Sequence, residues 1–222
     1  MTQKSKSSAA QKRRSQRGNQ ASNRPVLVVA GIVVVVAVAA VIAVALASTT
    51  PAVAEPATDP VVVSGAPLAP WNPEVTDTAI GMPLPGLSGV GMDGAPLTIG
   101  PDDGLAKCIV ILSHQCPHCV AELPRLVAWL ADNPLPDGVE VMGLSTLINP
   151  AGSNYPSIAW LEGEGWTAPT LIDDATYTGA AAYGSMSTPG FIFVTADGIV
   201  ADRVVGEIDP AVFGAMLEAI AP

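Results

Sequence analysis

The sequence predicts an α/β fold, with a mixed central sheet flanked by helices, preceded by one transmembrane helix. Three observations carry this. Residues 26–47 form an uncharged apolar run. From about residue 75, short apolar runs alternate with helical patterns, as in a parallel α/β sheet. Near the C-terminus, two apolar runs flank an Asp197-Gly198 turn, the signature of an antiparallel hairpin.

Residues 1–25 are polar and basic, rich in Ser and Gln, and too poor in apolar side chains to fold alone. The apolar run that follows is almost wholly Val, Ala, Ile and Leu. At about 1.5 Å per residue, a helix of that length spans roughly the 30 Å hydrocarbon core. Lys4, Lys6, Lys12, Arg13, Arg14, Arg17 and Arg24 all precede it. That asymmetry predicts a single-pass cell-membrane anchor, with the N-terminus cytoplasmic and the remainder extracytoplasmic. Ala45-Leu46-Ala47 also fits a signal-peptide cleavage site, although the apolar run exceeds the usual h-region. Residues 48–74 contain Pro51, Pro56, Pro60, Pro67, Pro70 and Pro73 and are expected to be a semi-extended tether. Trp71 in this tether either docks on the domain or sits at the membrane interface.

The folded domain is expected over 75–222. Pro96–Ile99 forms a short strand after the Asp93-Gly94 turn. Cys108–Leu112 is continuous and apolar, as a central buried strand requires. A helix from Pro117 to Ala131 follows, with Pro117 in the first turn and Pro124 as an internal kink. Next come a strand over 139–144, a helix near 155–164, a short strand at 170–172 and a loose helix near 177–183. The hairpin strands are 191–194 and 199–205. Asp209 caps a last helix with Pro210 in its first position and Val212, Phe213, Met216, Leu217 and Ile220 facing inward.

All twenty acidic residues lie beyond position 50, where only Lys107, Arg125 and Arg203 are basic. Such a surface repels phosphate backbones, so no nucleic-acid partner is expected. Three cysteines are too few for a disulfide scaffold.

Chemistry concentrates in Ser113-His114-Gln115-Cys116-Pro117-His118-Cys119, where the central strand passes into the helix. Cys116 falls at the helix N-terminus, where free N–H groups and the dipole favour a thiolate. His118 adds positive charge and hydrogen bonding. Cys119, one turn on, is placed to resolve a mixed disulfide. Cys108 is expected to be a buried inert thiol, and His114 a strand-end residue. A structural zinc site is disfavoured because no second cysteine pair exists.

Cys116-Pro117-His118-Cys119-Val120-Ala121-Glu122-Leu123-Pro124 resembles the active-site helix of the thioredoxin-like superfamily, especially its TlpA/ResA-like membrane-anchored branch. Pro124 matches the family's kinking proline, and Glu122 an acidic position common in that branch. Thr188-Pro189 stands where the family carries its cis-proline. The likeness covers about residues 78–221. It implies a thioredoxin-like fold and exchange between dithiols and disulfides, with no cofactor beyond a redox-active Cys116–Cys119 disulfide. It also implies that Pro189 lies against the cysteines and that Thr188 offers its backbone to a substrate segment. The implied partners are exported proteins with thiols or disulfides and a membrane dithiol carrier. Cytochrome c biogenesis is one family role; oxidation or isomerisation of exported proteins is another, towards which His118 leans. The sequence departs from the family in having Gln115 where an aromatic residue is usual, and Val110 where thioredoxin carries a buried acid. The Cys-Pro-His-Cys tetrad also occurs in DsbA-like enzymes, but the stretch from Cys119 to Thr188 is too short for their helical insertion.

Two other readings use the same residues. Cys116, Cys119 and a nearby His suit a copper-binding or metal-delivery protein, since thiolates favour Cu(I). A peroxidase would need an Arg beside the cysteine, and Arg125 is the nearby candidate.

Overall fold

A computed structural model describes residues 60–101 and 103–222. The basic tail, the predicted anchor at 26–47 and the first part of the predicted tether lie outside the described residues. Among the described residues, no helix is long and apolar enough to cross a membrane.

The strands are β1 (Val62–Ser64), β2 (Gly86–Gly91), β3 (Pro96–Ile99), β4 (Ala106–Leu112), β5 (Val139–Ser145), β6 (Thr170–Ile172), β7 (Gly190–Val194) and β8 (Val200–Val205). The helices are α1 (Pro117–Asp132), α2 (Ser157–Gly163), α3 (Thr178–Ala182) and α4 (Pro210–Ile220). They build one sheet in the order β1-β2-β6-β5-β4-β7-β8, with β3 also paired to β2. β4, β5 and β6 run parallel. β7 is antiparallel to β4, and β8 to β7, so the sheet is mixed as expected.

Every residue of β4 is buried, because helices or loops cover both faces of the sheet. Alternation then splits its side chains between two cores. Cys108, Val110 and Leu112 join Leu123 and Leu126 of α1 and Phe213 and Leu217 of α4. Ile109 and Ile111 join Leu144, Ile192 and Tyr183 on the other face. Helices α1 and α4 approach closely at Gly214, where an added Cβ would stand 2.7 Å from the Trp129 ring. Val212 departs from the expected inward face: it is half exposed, and Phe213, Leu217 and Ile220 supply the buried stripe of α4. Asp209 caps α4 as the sequence predicts, accepting from the Ala211 N–H at 2.8 Å.

The domain boundary also moves. Residues from Val61 onward, expected to be tether, are part of the fold. β1 pairs antiparallel with β2. The Val61 N–H donates to Asp174 at 3.0 Å. The Leu68 N–H donates to the Ala182 carbonyl and the Trp71 N–H to that of Gly184. Val61 and Leu68 are buried, and Trp71 packs on the second core. A proline-rich chain is compatible with this, because an extended edge segment needs only some of its N–H groups to pair. β2 was not foreseen either. Its sequence, Gly-Leu-Ser-Gly-Val-Gly, looks like a loop, yet the small Gly89 lets Leu171 of β6 pack against its backbone.

The strap formed by residues 61–77 is tied to the sheet by a buried cation. The Arg203 side chain is fully buried and donates through Nε to Asp77 at 2.7 Å and through Nη2 to the same carboxylate. Its Nη1 reaches the carbonyls of Ala69 and Tyr183. Removing one partner of a buried pair strands the other charge. Asp77→Ala is therefore expected to destabilise the domain by about 3 kcal/mol, measured as a lower urea midpoint at unchanged slope. A loss within the noise of the measurement would show that the strap contributes little.

Candidate active site

β4 ends at Leu112, and the chain turns through Ser113–Gln115 into α1. The Cys116 N–H closes that turn on the Ser113 carbonyl at 3.1 Å. Cys116 is the N-cap of α1, in extended conformation (φ −80°, ψ 119°), with Pro117 in the first helical turn. Proline there costs nothing, because the first-turn N–H it lacks would have no intrahelical acceptor. The Cys116 carbonyl accepts the first helical bond, from Val120 at 3.0 Å.

The two sulfurs sit in different surroundings. Cys116 is half-buried and Cys119 fully buried; both are free thiols. The Cys116 thiol donates to the Thr188 carbonyl at 3.2 Å. Burial works to raise the Cys116 pKa, but it is outweighed by hydrogen bonding from the Thr188 side chain, from the Cys119 N–H and thiol and from the His118 N–H. The net effect is a pKa below the usual thiol value. For Cys119, burial dominates. It overrides the Ser113 N–H, which donates to the sulfur at 3.4 Å, and negative charge on Cys116 adds to it, so the pKa is pushed up to about 12. Cys108, wholly buried in β4, is also pushed far up by burial.

The Thr188-Pro189 peptide is cis. Pro189 is buried, and its carbonyl accepts from the Gly206 N–H at 2.9 Å. The structure thus brings Cys116, Pro117, Cys119, Thr188 and Pro189 together. Ser187 and Leu147 line a neighbouring cavity of about 400 Å³ with Tyr177 and Met186.

His118 projects outward and is 71% exposed. Its Nδ1 lies 2.9 Å from Glu207 Oε1. Hydrogen bonding to Glu207 and the charge of that carboxylate raise the His118 pKa, and the same contact lowers that of Glu207. The other Glu207 oxygen accepts from Arg125 Nη1 at 3.0 Å. Arg125 Nη2 donates to the Ile208 carbonyl at 2.9 Å. Glu122 is fully buried, one turn beyond Cys119. Its Oε1 accepts the Ile208 N–H at 3.3 Å, and Oε2 is 3.2 Å from Arg125 Nη1 without a well-directed bond. Burial raises its pKa, partly offset by the Ile208 N–H and the charge of Arg125.

Glu207 is the site residue that sequence reasoning missed. It lies 89 positions from His118, with no motif around it. The only signal was generic: it lies in the link between β8 and the capped helix α4.

His114 is enclosed rather than facing the sulfurs. Its Nε2 accepts the Asn149 N–H at 3.1 Å, so its proton sits on Nδ1 and is donated to the Ser153 carbonyl. Gln115 bridges the Leu147 carbonyl and the Asn149 side chain. Arg125 directs its donors to Glu207 and Ile208 and not to Cys116. Among the described residues, no group of three or more His, Cys, Asp or Glu side chains is placed to hold a metal ion.

No family model matches the chain, and no curated protein matches it. Solved structures do. A secreted disulfide oxidoreductase of Mycobacterium tuberculosis, described as homologous to DsbE of E. coli, aligns with 60% of this chain and 94% of its own at 22% identity and TM-score 0.50. StoA of Bacillus subtilis aligns with 62% of this chain and 98% of its own at 17% identity and TM-score 0.51. A thioredoxin-family thiol:disulfide interchange protein of Chlorobium tepidum aligns with 62% and 94% at 20% identity and TM-score 0.51. The chain has a thioredoxin-like fold.

The site presents one activated, accessible sulfur and one protected sulfur. A thiolate reacts with alkylating agents far faster than a thiol. At neutral pH, iodoacetamide is therefore expected to modify Cys116 at least about tenfold faster than Cys119 or Cys108 in the reduced protein. Because the Cys116 pKa is lowered, its rate should rise with pH through a midpoint below that of an ordinary thiol. Peptide mapping at several pH values reads both, and equal labelling of the three cysteines would refute the assignment.

Proposed function

We propose that the protein is an extracytoplasmic, membrane-anchored thiol–disulfide oxidoreductase acting on exported proteins through Cys116 and Cys119. The observation that carries this is the placement of the Cys116 sulfur at the N-cap of α1, partly exposed against Thr188, with Cys119 buried one turn behind it. The thioredoxin-like fold and the disulfide chemistry named for its structural neighbours support the same reading.

In the reducing direction, the Cys116 thiolate attacks one sulfur of a substrate disulfide. A mixed disulfide forms, and the other substrate sulfur leaves as a thiolate and takes up a proton. Cys119 then loses its proton and attacks the Cys116 sulfur. The Cys116–Cys119 disulfide forms, and the second substrate thiol is released. Two electrons pass to the substrate. The oxidising direction is the reverse. The high pKa of Cys119 holds it as a thiol until the mixed disulfide has formed and the negative charge on Cys116 is gone. Thr188 supplies a backbone edge on which an extended substrate segment pairs while its sulfur meets Cys116.

A His118 held cationic stabilises the reduced pair and so favours oxidising power. This directs the reading towards oxidation or isomerisation of exported proteins, ahead of reduction of cytochrome cysteines. A membrane dithiol carrier is the matching electron partner, because tethering raises the local concentration for such encounters. The copper-delivery alternative uses the same pair and needs a third ligand, while His118 is engaged by Glu207.

Cys119→Ala is expected to accumulate mixed disulfides with exported proteins, which mass spectrometry identifies, and Cys116→Ala to accumulate none. The potential of the pair should lie above about −270 mV, the thioredoxin value. A pair that never forms a reversible disulfide would end the enzymatic reading. Carbonate extraction tests the anchor: the full-length chain stays with the membrane, whereas a shortened, soluble chain would show cleavage near Ala47.

A further inference from the structure

Glu207 stands at the junction of three structural pieces. It belongs to the link between β8 and α4, and its two carboxylate oxygens are divided between side chains of α1. Oε1 meets His118 Nδ1 at 2.9 Å, and Oε2 accepts from Arg125 Nη1 at 3.0 Å. The next residue, Ile208, is held from both sides, its carbonyl by Arg125 Nη2 and its N–H by Glu122 Oε1. The link is therefore fastened to α1 within three turns of Cys116, and the carboxylate has little freedom to leave the imidazole.

Resting on the exchange chemistry above, we propose that Glu207 is a positioning residue for Cys116: its carboxylate, shared between His118 and Arg125, holds the His118 ring beside the cysteine pair and favours the charged imidazole, so that the pair is more oxidising than it would be without that carboxylate. The charged groups facing Glu207 are His118, Arg125 and Glu122 from α1, with Asp209 two residues on at the head of α4 and the Cys116 sulfur beyond His118. Of these, only His118 both titrates near neutral pH and shares the tetrad with Cys116. Arg125 pairs with the other carboxylate oxygen at 3.0 Å and offsets that half of its field. Hydrogen bonding to Glu207 shifts His118 towards its charged form, and the thiolate of Cys116 shifts it further in the same direction.

The arrangement makes a prediction of sign. Glu207 acts on Cys116 by two routes of opposite sense. Its own negative charge disfavours the thiolate, while the imidazolium it maintains favours the thiolate. If positioning of His118 is its role, the second route wins when His118 is present and vanishes when it is not.

The experiment uses the full chain in detergent. Equilibrium with reduced and oxidised glutathione gives the stability of the Cys116–Cys119 disulfide, and the ultraviolet absorbance of the thiolate follows Cys116 against pH. Glu207→Gln keeps the shape and a hydrogen-bond acceptor but removes the charge. With His118 present it is expected to raise the Cys116 titration midpoint and make the pair more reducing. The shift in the glutathione equilibrium constant should be about two- to five-fold, the scale of an exposed charge pair. In a His118→Ala background the same substitution is expected to act in the opposite direction or not at all. A shift of the same sign in both backgrounds, or none with His118 present, would overturn the proposal while leaving the exchange activity standing. A wild-type pair that does not equilibrate with glutathione would remove the exchange reading itself, and this inference with it. Thermal melts of the three variants separate a change of potential from a loss of fold.

Discussion

The chemistry of this protein depends on one sulfur sitting where a helix begins. The first-turn N–H groups of α1 have no carbonyl partners within the helix, and those of His118 and Cys119 favour negative charge on Cys116. Hydrogen bonding to the sulfur from Thr188, Cys119 and His118 overcomes a burial that works against the thiolate. One helical turn later the balance reverses. Cys119 receives the Ser113 N–H, but full burial dominates and keeps it protonated. A single turn of helix thus gives two chemically identical groups different tasks, and the difference comes from burial.

That placement rests on the sheet. Leu112 ends a strand whose every residue is buried and which is paired on both sides, by β5 and by β7. The strand end cannot move without disturbing both cores. β7 also carries the chain away from Pro189, so the carbonyl that meets Cys116 is fixed by the strand adjoining the one that delivers the cysteine. Sulfur and carbonyl meet because β4 and β7 are neighbours in one sheet. The same rigidity extends to the rim, where buried His114 and Gln115 fasten the turn before Cys116 to the loop after β5.

Much of this was legible in the sequence because it is local. The apolar run of β4, proline in the first turns of α1 and α4, the Asp209 cap and the Asp197-Gly198 hairpin each state their structure within a few residues. The features that stayed hidden are not local. β2 is glycine-rich and carries no apolar alternation of its own; the adjacent β3 pairs with it, and its place in the sheet is completed by β1 and, about eighty residues on, by β6. The strap at 61–71 is apolar but broken by Pro67 and Pro70, so it has no helical or strand period to read, and pairing with Asp174, Ala182 and Gly184 makes it part of the fold. Glu207 shows no pattern at all. Its importance arises when the link after β8 meets α1, an encounter that no window along the chain contains. The cysteine pair was visible, and the carboxylate that governs its histidine was not.

The architecture separates where the nucleophile stands from how strongly it reacts. Position is set by β4, β7 and the buried face of α1, where substitution leaves cavities or unpaired polar groups and costs stability. The charges proposed to adjust reactivity, His118 and Arg125 of α1 and Glu207 of the link after β8, meet on the exposed side of the site. Side chains there can change without repacking a core, since surface substitutions away from buried networks alter stability little. Glu122 marks the boundary between the two sets. It is buried, yet it faces Arg125 and the Ile208 N–H, so it joins the exposed charges to the interior. On the exchange chemistry proposed above, such a division lets surface charges change the potential while the position of Cys116 stays as the sheet defines it.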